Sequence, residues 1–321
     1  MDMMRAFFIS LSKLQWAQRV ITRSPLASRV AMRFVAGETI NEAVAVIRKL
    51  NKQGLLATLD HLGEDTLSPE DALSAVEEIC HCLEVIQAND LRCNVSLKLS
   101  QIGLNLSTEL CKDNLRIIME KAAAANNFVR IDMEDSSLTD KTLEVFQWAK
   151  ESGIAPVGIV LQAYLYRTKA DIENLTRLHA TYRLCKGAYQ EPADIAFPQK
   201  KAVDENYDAL AKILLAQAAG PSSPRLSSNG RFPGLAGLAT HDEKRIVYAK
   251  QIIDSLKLDR NAMEFQMLYG IRSELQEKLA GEGYPVRVYV PYGTHWYRYF
   301  MRRLAERPAN VWFFVQNFFK R

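Results

Sequence analysis

The sequence predicts a closed (β/α)8 barrel, and three observations carry that expectation. Eight short apolar runs, with β-branched residues among them, recur along the 321-residue chain. Polar stretches of helical pattern separate them, and alternating strand and helix implies a parallel sheet. The length suits one barrel of roughly 250 residues with extensions. At 48% hydrophobic residues the chain can bury a substantial core.

Residues 1–54 precede the first run and read as helices that pack outside a catalytic barrel of residues 55–321. The opening stretch, "MDMMRAFFISLSKLQWAQRVITRS", has a short apolar core and no small-residue cleavage pattern, which argues against a secretory signal. A basic amphipathic helix suits it better, with a transit peptide as the weaker alternative. The strands then follow in order as "LLATL" (55–59), "NVSLK" (94–98), "FVRID" (128–132) and "PVGIVLQ" (156–162). After them come "YRLCK" (182–186), "GLAGLAT" (234–240), "AMEFQML" (262–268) and "VRVYV" (286–290). Between the first two, Ser68 is placed to cap a helix that Pro69 opens. The longest interval holds the helix "DENYDALAKILLAQAA" and then "GPSSPRLSSNGRFPG", Gly220 to Gly234. Rich in Gly, Pro and Ser, the second piece reads as a mobile loop at the bottom of the barrel, away from the chemistry.

Composition narrows the function. A net charge of +4 is too slight to argue for nucleic acid. Five cysteines at irregular spacing suggest reduced thiols in a cytoplasmic setting. Cys80-His81-Cys82 would splay its thiols about 200° apart on a helix, and no second ligand pair follows, so no metal is expected. No apolar run is long enough to span a bilayer. The aromatic ending "VWFFVQNFFKR" reads as a helix packed on the domain, with a membrane-surface contact as the alternative.

Barrel enzymes carry their chemistry at the C-terminal strand ends. Those ends bear Lys98, Asp132, Gln162, Lys186, Thr240 with His241, Gln266 and Tyr289. Each alone suits a satisfied rim residue; together, on seven of eight strands, they mark a site. Rossmann, P-loop, HExxH and GxSxG patterns are missing from the sequence. Cations, amides, tyrosines and few carboxylates fit an anionic substrate beside an organic cofactor. Beyond the last strand, "PYGTHWYRYFMRRLAERP" sets Tyr299, Arg302, Arg303 and Glu306 along one helical stripe. The stripe is either a solvated face worth under ~1 kcal/mol or a fork that grips a carboxylate or phosphate.

"VSLKLSQIG", "RIDMED", "VLQAY", "RLCKGAY", "ATHD", "EFQMLYG" and "VYVPYG…WYRYFMRRLAER" occur in this order at successive strand ends. With "RFVAGET…ATLDHLGE" near the start, the chain closely resembles the flavin-dependent proline dehydrogenases of the short, single-activity bacterial kind. The resemblance implies FAD across the barrel mouth and oxidation of L-proline to Δ1-pyrroline-5-carboxylate, the first step of proline catabolism to glutamate. It also implies electron transfer to a membrane quinone, with a separate aldehyde dehydrogenase handling the product. By motif, Lys98, Arg302 and Arg303 would bind the proline carboxylate, and Glu306 would orient the arginine pair. Tyr289, Tyr299, Ala188 and Leu268 would surround the ring. Asp132 would join the charged network between Lys98 and the arginines as a catalytic residue, and Arg183 would sit near the flavin N5. Met133, Gln162, Lys186, Gly187, Ala188, Thr240, His241 and Gln266 would contact FAD. A cytoplasmic protein, with a peripheral contact at the inner face of the membrane as the alternative, is the corresponding location. Two competitors are a folate-reducing flavin barrel, which needs a larger pocket, and a barrel that has lost catalysis.

Overall fold

The structure, a computed structural model, describes residues 11, 14–22, 25–63, 66–154 and 156–306. The strands are β1 (Leu56–His61), β2 (Cys93–Lys98), β3 (Val129–Asp132), β4 (Val157–Gln162), β5 (Tyr182–Cys185), β6 (Ala236–Ala239), β7 (Met263–Leu268) and β8 (Val286–Tyr292). They pair in parallel, in sequence order, and β8 returns to β1 to close the barrel. Every apolar run of the sequence falls on its strand, with ends shifted by no more than two residues.

The helices α1 (Gln15–Thr22), α2 (Pro25–Ala31) and α3 (Ile40–Lys52) precede the barrel, and α3 packs on β1 and β8. Between strands run α4 (Pro69–Ala88), α5 (Thr108–Ala124), α6 (Ser136–Glu151), α7 (Thr168–Leu175), α8 (Lys200–Ala218), α9 (Glu243–Ser255) and α10 (Ser273–Gly281). As expected, Ser68 caps α4: its Oγ accepts from the Asp71 amide at 3.1 Å, and Asp71 Oδ2 accepts from the Ser68 amide at 3.0 Å. This reciprocal box satisfies two amides that the first turn cannot. After β8 comes α11 (Trp296–Glu306), the helix that carries the arginine pair. The aromatic ending lies outside the described residues, as does the start of the chain.

The strands bury two different faces. Val95, Leu97, Val129, Ile131, Ile159, Leu161 and Leu184 belong to the apolar core that the helices cover. Residues of the other parity point inward, and many are polar, with bonds that link strands that are not neighbours. Arg183 on β5 reaches Asp132 on β3 and Ser96 on β2, and Tyr289 on β8 reaches Asp132. Such bonds can cross only through the barrel.

The segment from Gly220 to Gly234 corrects one expectation. It lies at the bottom, as its place before β6 requires, but it is pinned there as a plug. Arg231 is buried and donates to the Leu91 carbonyl at 3.1 Å. Its own carbonyl accepts from Asn94 Nδ2 at 2.9 Å, and the Gly230 carbonyl accepts from Arg287 at 3.0 Å. Turn-rich composition marked a loop correctly; the buried arginine supplies the anchorage that composition does not reveal.

Candidate active site

Each strand ends at the same mouth, so side chains one or two positions from those ends converge. Asp132, the last residue of β3, accepts from Arg183 Nη1 at 2.7 Å, from Ser96 Oγ at 2.7 Å and from the Tyr289 hydroxyl at 2.7 Å. The Arg183 guanidinium also lies 5.2 Å from the Tyr289 ring centroid. Burial, reinforced by the Asp132 charge, pushes the Tyr289 phenol well above its ordinary value. The phenol therefore remains a donor to Asp132 at any pH the protein meets. Arg183 Nε donates to Gln266 Oε1, so Gln266 belongs to the same network.

A second cluster forms on α11. Tyr299, Trp296, Phe300 and Leu304 are buried together with Val30 on α2 and Phe34 in the turn after it, and Leu268 and Tyr289 pack against them. Trp296 Nε1 donates to Glu38 at 3.0 Å, and the Tyr297 hydroxyl donates to the Leu11 carbonyl at 2.9 Å. The Arg303 guanidinium sits 5.0 Å from the Tyr299 ring centroid, a cation–π arrangement. Arg303 is buried and Arg302 half-buried, unlike a solvated stripe. Tyr289 joins both clusters. The Glu306 side chain falls outside the described ones, and α11 is the frame on which it was expected to act.

The remaining site residues take distinct positions. Lys98 is buried and lies 3.8 Å from Asp60, a carboxylate on β1. Lys186 Nζ is bonded to Asp204 and, at 2.9 Å, to Asp242. Burial pushes the Asp242 carboxyl up, but Lys186 and the amide of Lys244 hold it below its ordinary value on balance. Thr240 Oγ1 accepts from the Asp242 amide at 3.1 Å, and His241 Nε2 accepts from the Leu268 amide at 3.0 Å. Gly187 adopts φ +115°, and a Cβ there would meet the Tyr164 ring at 2.4 Å. This backbone turn at the mouth requires glycine. Met133 is buried beside Asp132, while Ala188 is half-buried in the segment after β5. That segment is latched by Glu191, which accepts from the Ser136 amide at 2.8 Å and from the Tyr164 hydroxyl at 3.3 Å.

The strand-end survey missed Asp60, Ser96, Glu134 and Glu264. Asp60 stands in "LATLDHLG" one residue beyond the apolar run taken as the first strand. Glu134 accepts from both the amide and the hydroxyl of Ser100, and its carbonyl accepts from Gln162 Nε2 at 3.2 Å. Gln162 Oε1 is buried and has no hydrogen-bond partner among the described residues. A buried amide oxygen without a donor is costly. A flavin ring, which offers an N–H donor between carbonyl acceptors, would satisfy it, and Arg183 adds a cation in the same mouth. The residues present fit such a group.

The pieces match known proteins. Residues 43–316 match the family model for proline dehydrogenase. Proline dehydrogenase 1 of Bacillus subtilis (strain 168) is 43% identical over 91% of this chain and 91% of its own length. The proline dehydrogenase of Deinococcus radiodurans is 40% identical over 91% of this chain and 90% of its own. Among solved structures, proline utilization A from Bdellovibrio bacteriovorus, inactivated by N-propargylglycine, superposes with a TM-score of 0.76 at 27% identity. That alignment covers 87% of this chain but only 33% of the larger protein. Fold, sequence and the matched span agree: this chain is an enzyme of the proline dehydrogenase family.

Proposed function

We propose that this enzyme oxidises L-proline to Δ1-pyrroline-5-carboxylate, with FAD bound across the barrel mouth and a membrane quinone receiving the electrons. The carrying observation is that Tyr289 ties a charged network, Asp132 with Arg183, to an aromatic and cationic helix, Tyr299 with Arg303. Proline offers one carboxylate and an apolar ring. Lys98, Arg302 and Arg303 supply cations for the first, each charge-assisted hydrogen bond contributing about 1.5–3 kcal/mol. Tyr289, Tyr299, Leu268 and Ala188 supply cover for the second, which also keeps water from the reacting carbon.

In the reaction, a hydride leaves C5 while the ring-nitrogen lone pair forms the C=N bond. The nitrogen must be unprotonated, and its remaining proton passes to solvent. Bound FAD supplies the two-electron acceptor for that hydride. Met133, Gln162, Lys186, Gly187, Ala188, Thr240, His241 and Gln266 would hold it, with Gln162 Oε1 as the unsatisfied acceptor that supports the assignment. Arg183 would stabilise the negative charge gained on reduction. Asp132, fixed by Ser96, Tyr289 and Arg183, orients both the phenol and the guanidinium, so positioning outweighs acid–base catalysis here. Glu306 would hold the arginine pair.

No helix among the described residues is long and apolar enough to cross a membrane. Contact with a quinone pool would be peripheral. The 1–54 helices and the 55–321 barrel would act as one catalytic unit, and another protein, an aldehyde dehydrogenase, would consume the product. The test is anaerobic titration of the purified yellow protein. L-Proline should bleach the flavin absorbance, and pyrrolidine, which lacks the carboxylate, should not. Bleaching by both, or by neither, would sink the proposal.

A further inference from the structure

Behind Arg183 runs a line of buried polar groups that leads from the mouth to the floor plug. Arg183 Nε donates to Gln266 Oε1, and Gln266 Nε2 donates to Glu264 Oε1. Glu264 then forms a two-point pair with Arg287, at 2.7 Å through Nε and 3.0 Å through Nη2. Arg287 in turn donates to the Ala57 carbonyl at 2.8 Å and the Gly230 carbonyl at 3.0 Å. Glu264 and Arg287 are essentially inaccessible to water, at 0% and 1% exposure, so these bonds face no solvent competition.

The direction of the line matters. An amide has one accepting end and one donating end. If the Gln266 amide turned over, its NH2 would face the Arg183 N–H and its oxygen would face the Glu264 carboxylate. Both contacts would be repulsive. A carboxylate at position 264 thus sets the amide so that an acceptor meets Arg183, and the two-point pair with Arg287 holds that carboxylate in place. Arg183 is then gripped from two sides, by Gln266 through Nε and by Asp132 through Nη1. A guanidinium held at two edges has one orientation.

We propose that Glu264 and Gln266 are positioning residues that fix the Arg183 guanidinium for hydride transfer, with Arg287 as their anchor to the barrel floor. The proposal rests on the FAD-linked proline oxidation argued above. Its chemistry is electrostatic preorganisation: a cation already aimed needs no reorganisation when negative charge develops.

The experiment uses holoenzyme and the variants Glu264→Gln, Gln266→Leu and their double. Each single change should lower kcat per bound flavin by about tenfold or more while KM for proline stays within about threefold. Each should also lower the midpoint potential of the bound flavin, because a loosened cation stabilises the reduced form less. The Arg183 Nε–H, followed by NMR with labelled arginine, should exchange faster in both. Since the two changes cut the same line, the double should be little worse than either single. Turnover per flavin, potential and exchange all at wild-type values would overturn the proposal, as would losses confined to melting temperature and flavin content. If Glu264→Gln does not accumulate as holoenzyme, the Arg183 Nε–H exchange in Gln266→Leu decides, because Gln266 would also touch the flavin: unchanged exchange overturns the proposal even where turnover falls. A wild type that binds flavin yet is not reduced by proline would instead count against the reaction, and the potential and Arg183 exchange would still judge the line.

Discussion

Arg303 lies against the Tyr299 ring, buried on one face of α11, while Arg302 is half-buried on the adjoining one. Their unequal burial gives them unequal weight. Arg303→Met should raise KM for proline by about ten- to a hundred-fold, the loss of one charge-assisted bond in a desolvated place. Arg302→Met should raise it less, and both should retain FAD. Steady-state kinetics with flavin content measured in parallel checks this; unchanged proline saturation in both would remove the pair from the site. The stripe itself was legible from spacing alone, since Arg302 and Arg303 follow Tyr299 by three and four residues on a helix. Asp60, by contrast, was hidden because the apolar run that defines β1 stops before it. Glu264 was hidden for another reason. A single acid inside "AMEFQML" looks like an isolated polar residue, and only the pairing of β8 beside β7 brings Arg287 to it, with Gln266 two residues along the same face.

At the scale of elements, the strands show why reading runs finds β-structure but not its inner face. A strand buried on both sides is expected to be uniformly apolar. Here the inward parity carries Arg130, Glu264 and Arg287, each embedded in an otherwise apolar run. Room for such side chains comes from small neighbours. Gly158, the second residue of β4, faces Arg130 on β3 across the register. A Cβ at Gly158 would meet Thr181 Oγ1 at 2.2 Å and Arg130 Nη1 at 2.5 Å. That arginine donates to the Thr181 carbonyl at 2.6 Å, so it cannot yield without losing a buried bond. Gly158→Ala should therefore destabilise the protein by about 1–3 kcal/mol through overpacking, although alanine suits a strand better than glycine. Denaturant unfolding of the two proteins, monitored by far-ultraviolet circular dichroism, measures it. An equally or more stable variant would mean that β4 and Arg130 separate easily.

Across the whole molecule, the barrel divides its labour between two ends. The mouth gathers cations, phenols and amides, and the floor is sealed by the segment that ends in Arg231-Phe232-Pro233-Gly234. Arg231 is buried, spans from the Leu91 carbonyl to Asp90, and holds the plug beneath β2. Its ion pair with Asp90 adds little, because Asp90 is exposed. What matters is the buried carbonyl of Leu91, which would be left without its donor. Arg231→Ala should cost about 2–3 kcal/mol and lower the melting temperature by roughly 5 °C. Turnover per bound flavin should stay within about twofold, since floor contacts serve stability and the opposite face serves chemistry. The Glu264–Arg287 pair would survive the change, because it depends on the Gly230 and Ala57 backbone carbonyls and not on the Arg231 side chain. Calorimetry of the holoenzyme and a proline–dye assay separate the two effects. A variant that melts normally but turns over slowly would show that the plug reaches the mouth by a route other than Arg287, and the division between floor and mouth would have to be abandoned.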